Sequence, residues 1–261
     1  MRTEGVIALI PTHSRFELVA RAANSVHPLP VVIVDDSVSG SLPKTIETTV
    51  SHVVRTRGEE GFSSAVNQGL AYAREAGFDW VLLLNDDAYL EPGALQSLLN
   101  SRASDVGVLA PVLVEEEGVD LFGVRIRAWG RVHPRYRDRP GMDPEAVPGA
   151  CMLIRSNGYF ETAYQHGMED FDFCLREKSE GRRIVLVSEA RCRHDGGATL
   201  PRRSRVAQRH GLSGQLRLFD GGWRSPFVIG LAVAQVIRER GPADRFLGIW
   251  QGWRDWRNHR S

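Results

Sequence analysis

The sequence predicts an α/β fold with a mainly parallel, doubly wound sheet and a helical appendage at the C-terminus. Short apolar runs alternate with segments of helical periodicity through the first 110 residues, the pattern of a parallel sheet. The strongest run, Trp80–Leu84, has five apolar residues without a polar break, which is typical of a strand buried on both faces. From residue 202 the chain is helical in pattern, basic and rich in tryptophan.

The first half predicts alternating strands and helices. In chain order they are a strand at 6–10, a helix at 14–26, strands at 31–34 and 50–54, a helix at 63–76 and a strand at 80–84. Pro11 is expected to end the first strand, and Ser14 is the expected N-cap of the first helix. The second helix is expected to bury Ala65, Leu70 and Ala73.

The second half has weaker patterns. Its predicted elements are a helix at 92–99, a strand at 106–110, a hairpin at 121–134, a strand at 147–155, a helix at 167–179, a strand at 184–187 and helices after 202. Residues 135–144 are rich in Arg, Asp, Pro and Gly, which predicts a mobile loop.

Composition restricts the class of protein. The net charge of +1 gives no overall field that would favour a nucleic-acid partner. Three cysteines form no metal-spacing motif and are consistent with a reducing cytoplasm. The start leads directly into a strand, so no signal peptide is expected. The longest apolar stretch, residues 226–237, is shorter than the ~20 residues that span a bilayer. We therefore expect a cytoplasmic protein, at most peripheral on the inner face of the membrane.

Polar residues follow the strongest strand directly. Asn85, Asp86 and Asp87 come after Leu84, and ligands of open α/β sheets bind beyond the carboxyl ends of the strands. Two acids there could hold a divalent cation, which in turn binds phosphate oxygens. An acidic turn is the alternative, because Asn and Asp are common turn formers.

Seven short motifs occur in an order that resembles one family. They are Ile10-Pro11-Thr12; Val34-Asp35-Asp36-Ser37; Gly61-Phe62 with Asn67; Leu84-Asn85-Asp86-Asp87 with Pro92-Gly93; Pro148-Gly149-Ala150 with Leu153-Ile154-Arg155; Glu169-Asp170-Phe171-Asp172-Phe173-Cys174-Leu175-Arg176; and His194-Asp195-Gly196-Gly197. Across residues 6–199 the chain resembles family-2 glycosyltransferases of the GT-A fold, especially the bacterial rhamnosyltransferase-like branch.

The resemblance implies a nucleotide-diphosphate sugar as donor, with UDP, dTDP or GDP as the nucleotide. Asp35 would accept a hydrogen bond from the imide N–H of a pyrimidine base, whereas a helix N-cap is its alternative role. Asp87 and His194 would bind Mn²⁺ or Mg²⁺, and an imidazole ligand makes Mn²⁺ more natural. The other implied donor-binding residues are Pro11, Thr12, Arg15, Asp36, Gly61, Asn67, Asn85 and Asp86.

On the acceptor side, the resemblance implies an inverting transfer with Asp170 as general base. Glu169, Gly149 and Ala150 would bind the acceptor, a hydroxyl-bearing glycan, glycolipid or small natural product. A helix N-terminus and a nearby cation favour the charged form, so we expect a low pKa for Asp170. Asp172 and Arg176 are one helical turn apart and are expected to pair.

The resemblance divides the chain at residue 200. Residues 1–200 would form the GT-A domain, with a nucleotide-binding half (1–110) and an acceptor-binding half (111–200), and residues 201–261 a helical extension. We expect the extension to be a packed helical face, with a homodimer interface or a peripheral membrane contact as alternatives.

Two other functions stay open, a sugar nucleotidyltransferase and a non-enzymatic module that binds a sugar nucleotide. A sugar nucleotidyltransferase would need a glycine-rich loop after the first strand, where residues 11–15 have no glycine. A dehydrogenase would need its Gly-x-Gly-x-x-Gly motif at the same place, and it too is absent. A catalytically weakened sugar-nucleotide-binding module is the non-enzymatic alternative, because Asn85 stands where many relatives have an acid.

Overall fold

The computed structural model describes residues 3–38, 42–115, 118–127, 131–137, 143–164, 167–195, 204–219, 224–239 and 241–258. The strands are β1 (Val6–Thr12), β2 (Val31–Asp35), β3 (His52–Arg55), β4 (Trp80–Leu84), β5 (Ala88–Leu90), β6 (Val106–Glu115), β7 (Asp120–Leu121), β8 (Val124–Arg127), β9 (Arg131–Pro134), β10 (Cys151–Arg155) and β11 (Arg183–His194). The helices are α1 (Phe16–Ser25), α2 (Lys44–Glu47), α3 (Phe62–Glu75), α4 (Ala94–Asn100), α5 (Glu169–Ser179), α6 (Arg205–Leu218), α7 (Ser225–Arg238) and α8 (Asp244–Asn258).

One mixed sheet organises the described part of the molecule. Its strand order is β3-β2-β1-β4-β10-β6-β11-β5, with β7 paired to β6. The first four strands are mutually parallel, and β11 runs parallel to β6. β10 lies antiparallel between β4 and β6, a direction that the sequence did not predict. The predicted α/β class is confirmed.

Helices cover both faces of the sheet, which is why β1, β2 and β4 are apolar except for Thr12 and Asp35 at the carboxyl ends of β1 and β2. One core joins α1 and α4 to the sheet, and the other joins α3 and α5 to the opposite face. The predicted inner residues of α3, Ala65, Leu70 and Ala73, are fully buried in the second core. Gly69 allows α3 to approach closely, because a Cβ atom there would lie 2.3 Å from Leu9 Cδ1.

Two predictions at the start of the chain are wrong. Pro11 does not end β1: it lies within the strand opposite Val34, since proline removes only an N–H and its φ fits extended backbone. Ser14 is not the N-cap of α1. Its φ is +62°, and the N-cap position is held by Arg15 without a side-chain hydrogen bond.

Two strands are longer than predicted, and their extra length builds the site. β6 continues past Ala110 through Pro111, and β11 continues from Val187 to His194. The pairing shifts between Val187 and Arg191, beside Pro111, which has no N–H to donate to the ladder. Beyond this irregularity β11 also pairs with β5, which places His194 opposite Ala88.

The C-terminal extension is helical, as predicted, and has its own core. Its buried residues are Leu212, Leu216, Phe219, Val228, Ala232, Val236 and Ile249. Ile126 and Val132 of the predicted hairpin, now β8–β9, pack against this core and also against the core under α3 and α5. Within the described ranges, no helix is long and apolar enough to cross a membrane. Gly196 and Gly197 of the last motif and residues 138–142 of the predicted loop fall outside the described residues.

Candidate active site

A cleft of about 430 Å³ opens where β1 and β4 end, between the start of α5 and the end of β11. The predicted site residues that line it are Pro11, Thr12, Arg15, Asp36, Gly61, Asn85, Asp86, Gly149, Ala150, Glu169, Asp170 and His194. The fold therefore brings together residues that are up to 183 positions apart in the chain. Such a cleft beyond the carboxyl ends of parallel strands is where α/β sheets bind ligands.

Asp86 is held by two side chains from the neighbouring strand end. Thr12 Oγ1 donates a hydrogen bond of 2.8 Å to Asp86 Oδ2, and Arg15 Nη2 donates one of 2.5 Å to Oδ1. Burial raises the pKa of Asp86 to about 6, and Arg15 and Thr12 oppose that rise. The carboxylate is ionised at neutral pH and fixed in orientation.

Asp87 lies between Arg15 and His194. Arg15 Nη1 is 3.3 Å from Asp87 Oδ2, and His194 Nε2 is 3.3 Å from Oδ1. Burial alone would raise the pKa of Asp87, but the adjoining His194 and Arg15 outweigh it and lower the pKa. The backbone keeps this arrangement, because Asp195 N donates to the Asp87 carbonyl oxygen at 3.0 Å. The structure thus brings the two predicted metal-binding residues together.

Glu169 and Asp170 begin α5 and face the same cleft. Asp170 Oδ2 accepts a hydrogen bond from Gly149 N, and Oδ1 accepts one from Phe171 N, both at 2.8 Å. Burial raises the pKa of Asp170 to about 6, although these backbone N–H groups lower it in part. The pKa is higher than predicted, because burial outweighs the helix N-terminus, but it still leaves Asp170 charged at neutral pH, as predicted.

Glu169 has a different electrostatic environment. Its side chain is buried, and Oε2 has no hydrogen-bond partner. Burial and the charge of Asp170 raise the pKa of Glu169 to about 8. At neutral pH the adjacent acids therefore differ, with Asp170 ionised and Glu169 protonated.

Gly149 and Ala150 lie between the acidic residues that follow β4 and the Glu169–Asp170 pair at the start of α5. A Cβ atom on Gly149 would lie 3.1 Å from Asp170 Cβ, so a side chain here would crowd the carboxylate. The Ala150 carbonyl oxygen accepts a hydrogen bond of 2.9 Å from Asn85 N. This short segment lies between the end of β4 and the start of α5.

The two acids after β2 have internal partners. Asp35 Oδ1 accepts hydrogen bonds from Ser37 N at 3.1 Å and Ser37 Oγ at 2.5 Å. Asp35 is not a helix N-cap, since α2 begins after Pro43. The Asp36 carboxylate accepts hydrogen bonds from Thr56 Oγ1 and from Glu60 N and Gly61 N. Asp36 thereby shapes the loop that forms one side of the cleft.

Asn67 lies away from the cleft. Its Nδ2 donates to the Phe160 carbonyl oxygen at 2.8 Å, and its Oδ1 accepts from Phe160 N at 2.7 Å. Both ends of the amide are engaged by one peptide backbone, so Asn67 ties residue 160 to α3. The structure therefore does not support the predicted contact between Asn67 and the donor.

Six residues that the sequence did not predict as site residues also line the cleft. They are His13, Glu59, Phe62, Ala65, Pro148 and Gly167. His13 Nδ1 lies 3.0 Å from the Asp36 carbonyl oxygen, and Glu59 has a φ of +55°. Their place in the sequence could have indicated them, since each lies within two residues of a predicted site residue.

Comparisons with known proteins identify the family. The family model described as glycosyl transferase family 2 matches residues 7–162. An N-acetylglucosaminyl-diphospho-decaprenol L-rhamnosyltransferase of Mycobacterium tuberculosis (strain H37Rv) is 26% identical over 253 residues, covering 81% of this chain and 82% of the relative. The low-salt glycan biosynthesis hexosyltransferase Agl10 of Haloferax volcanii is 23% identical over 167 residues, covering 59% and 54%.

Solved structures share the fold. The crystal structure of GalNAc-T7 with UDP, GalNAc and Mn²⁺ superposes with a TM-score of 0.63 at 15% identity, covering 82% of this chain and 47% of that chain. This chain thus spans about half the length of GalNAc-T7. Residues 1–349 of S. aureus TarS superpose with a TM-score of 0.52 at 14% identity, covering 98% and 91%. With the family match over more than half of its length, this chain belongs to glycosyl transferase family 2 and is a glycosyltransferase.

Proposed function

We propose that this enzyme transfers a sugar from a nucleotide-diphosphate donor to an acceptor hydroxyl, with inversion at the anomeric carbon. One observation carries the proposal: the Arg15–Asp86 pair and the ionised Asp170 line a single cleft. A displacement needs a base for the attacking hydroxyl and a separate group for the departing diphosphate. The cleft supplies both of these groups.

Asp170 supports the proposed base chemistry. As the acceptor oxygen bonds to the anomeric carbon, its proton passes to an Asp170 oxygen. The bond between that carbon and the diphosphate oxygen breaks, and its electron pair leaves with the diphosphate. Glu169 is protonated at neutral pH, so it can donate a hydrogen bond to an acceptor or sugar hydroxyl without repelling Asp170. No covalent enzyme intermediate is needed.

The donor diphosphate would lie beside Arg15, Asp87 and His194. Arg15 carries a guanidinium group, which binds phosphate oxygens well. Asp36 and Gly61 form the wall where the nucleoside would bind, with Asp35 behind them for a pyrimidine base. The donor sugar would be a hexose or deoxyhexose carried on UDP, dTDP or GDP.

The donor atoms near Asp87 fit a divalent cation. Asp87 Oδ1 is buried without a hydrogen-bond partner and lies 3.3 Å from His194 Nε2. The described residues contain no cluster of three or more His, Cys, Asp or Glu for a metal, so diphosphate oxygens would supply further ligands, as is common for Mg²⁺. A carboxylate with an imidazole also suits Mn²⁺. When bound, the cation would neutralise charge on the leaving diphosphate.

The acceptor is proposed to be a sugar hydroxyl on a glycan or a lipid-linked carrier. The mycobacterial relative is named for N-acetylglucosaminyl-diphospho-decaprenol, which is such a carrier. Gly149, Ala150 and Glu169 would contact the acceptor, because they line the cleft beside Asp170.

The test of the donor end combines a ligand panel with two variants. UDP-, dTDP- and GDP-sugars are scored by thermal shift with and without Mn²⁺, because a bound ligand raises apparent stability. Asp87→Ala and His194→Ala should each weaken metal-dependent nucleotide binding by more than about tenfold.

Asp195→Ala is the matched control, since this neighbouring acid pairs with the exposed Arg21 instead. It should keep the native affinity. Unchanged affinity in both Asp87→Ala and His194→Ala, with metal present, would contradict the proposed cation site.

A further inference from the structure

Charge is divided unevenly along the chain. Residues 201–261 hold 12 arginines and four acidic residues, which gives the extension a net charge of +8. Residues 1–200 hold 21 basic and 28 acidic residues, a net charge of −7. The net charge of +1 for the whole chain is therefore the sum of a basic extension and an acidic domain. Such asymmetry is typical of proteins with an anionic binding partner.

The extension also exposes large apolar side chains around the turn between α7 and α8. Ile237, at the end of α7, is 63% exposed. In the first half of α8, Phe246, Leu247 and Trp250 are 39%, 43% and 50% exposed. Single exposed apolar residues are ordinary on a protein surface. Several around one turn instead indicate a surface that binds a partner.

Two exposed arginines lie on the same face of α8 as Leu247 and Trp250. Leu247, Trp250, Arg254 and Arg257 are spaced three and four residues apart, so they share one side of the helix. The Arg254 guanidinium lies 4.8 Å from the centre of the Trp250 ring. The face is therefore apolar in its first half and cationic in its second.

Of the three acids described after residue 203, two are engaged inside the helical layer, and the third, Asp244, is exposed in the first turn of α8. Glu239 pairs with the buried Arg245, and Asp255 pairs with Arg209. These two carboxylates thus neutralise arginines inside the helical layer rather than Arg254 on its surface. The positive charge on the outer face of α8 keeps its field towards solvent.

We propose that the α7–α8 turn docks this enzyme on a membrane surface that contains anionic phospholipids. Phe246, Leu247 and Trp250 enter the head-group region, where tryptophan and aliphatic side chains of interfacial helices reside. Arg254 and Arg257 contact lipid phosphates. The inference goes beyond the proposed function, which does not require it.

A second copy of this chain is the alternative binding partner for this face of α8. A twofold dimer places the same patch on both partners, so Arg254 and Arg257 would lie against either the same cations or the apolar half of the other copy's face. The centres of protein interfaces are also depleted in charged residues. A lipid surface instead complements both the apolar and the cationic half of the face.

The test is flotation of the full-length chain with vesicles, without donor or acceptor. Vesicles of phosphatidylcholine alone are compared with vesicles that also contain phosphatidylglycerol, at low and high salt. The native chain should bind the anionic vesicles, and salt should weaken that binding. Arg254→Gln and Arg257→Gln should each weaken it about fivefold, and Trp250→Gln about tenfold.

Arg183→Gln and Val119→Gln are matched controls, because both residues are exposed on the first 200 residues. They should bind vesicles as the native chain does. Absence of binding to anionic vesicles at low salt would overturn the proposal, as would native binding by Trp250→Gln. Light scattering that shows a dimer lost in Trp250→Gln, without vesicle binding, would assign the face to a second copy. Because no substrate is present, the outcome is independent of the proposed function.

Discussion

Glu169 and Asp170 are adjacent on α5, yet their carboxyl groups titrate in different ranges. Burial raises both pKa values, to about 8 and about 6. Backbone N–H groups lower both pKa values in part, and the charge of Asp170 adds to the rise at Glu169. From the sequence, the helix N-terminus suggested a low pKa for Asp170. The burial that outweighs it is a tertiary property, which the local sequence does not contain.

We expect Glu169→Gln to stabilise the protein in alkaline solution. The pKa of Glu169 is raised from 4.5 to about 8, so its favourable contribution to stability is complete below pH 4.5 and is lost as the pH rises through 8. Gln keeps the shape without the charge. The free energy of unfolding of the variant should exceed that of the native protein by about 2–4 kcal/mol above pH 8.

Urea unfolding at several pH values measures this effect. The gain should disappear below about pH 4.5, where the native Glu169 is protonated in both the folded and unfolded states. Glu161→Gln, on the segment before α5, serves as a control and should show no comparable gain. A constant difference between Glu169→Gln and native protein at every pH would contradict the assignment of the raised pKa.

The sequence did not reveal which partners some of the predicted site residues contact. Asp36 and Asn67 were identified as site residues by motif, but their partners are the loop at residues 56–61 and the backbone of Phe160. Motif position indicates which side chains lie near a site. It does not show whether a side chain contacts the ligand or supports the loop that surrounds the ligand.

At the scale of elements, α6 supports the turn that begins α5. A Cβ atom on Gly214 of α6 would lie 2.7 Å from the Gly167 carbonyl oxygen and 3.1 Å from Met168 Cγ. Gly167 and Met168 both have positive φ, +89° and +76°, which is strained for methionine. Close packing of α6 therefore helps to hold the backbone that presents Glu169.

Gly214→Ala should consequently impair catalysis more than donor binding. The added methyl group must displace the turn at Gly167, which moves the start of α5. We expect turnover to fall by at least about tenfold, with little change in nucleotide affinity, as measured by steady-state kinetics and titration calorimetry.

Gly211→Ala is the control on the same helix, because nothing lies within 4 Å of its Cβ position. It should retain activity and gain about 0.5–1 kcal/mol of stability from the higher helix propensity of alanine. Equal turnover in Gly214→Ala and Gly211→Ala would show that α6 does not position the acids.

The elements themselves were predictable where burial on both faces makes a strand continuously apolar, as at Trp80–Leu84. The later parts of β6 and β11 were not. Their continuation depends on pairing with each other beyond Pro111, and with β5, which brings His194 to Asp87. Such pairing is a tertiary property that local patterns do not contain.

On the scale of the whole molecule, the extension is linked to the rest through shared apolar residues. Ile126 and Val132 of the β8–β9 hairpin belong to both the sheet core and the helical core. The division at residue 200, a proposal from the resemblance, therefore describes sequence regions that we expect to unfold together. The sequence predicted helices here, but not which surface they cover.

Leu216→Ala tests this coupling, since Leu216 is fully buried in the helical core. The cavity should lower the free energy of unfolding by about 2–5 kcal/mol. We expect one cooperative transition in both circular dichroism and transfer activity, shifted together to lower temperature. Leu247→Ala, at an exposed position of α8, should change stability little. A separate early transition of the helices with activity intact would show that the two parts are independent.

The central claim is that Asp170 removes the proton from the acceptor hydroxyl, and Asp170→Asn tests it most directly. Turnover and donor affinity are measured in the same preparation, with Asp172→Asn as control because Asp172 pairs with Arg176. We predict a loss of about 10²–10⁴ in turnover for Asp170→Asn, with donor affinity unchanged. Near-normal transfer by Asp170→Asn would contradict the claim, and loss of donor binding together with turnover would make Asp170 a ligand of the diphosphate instead.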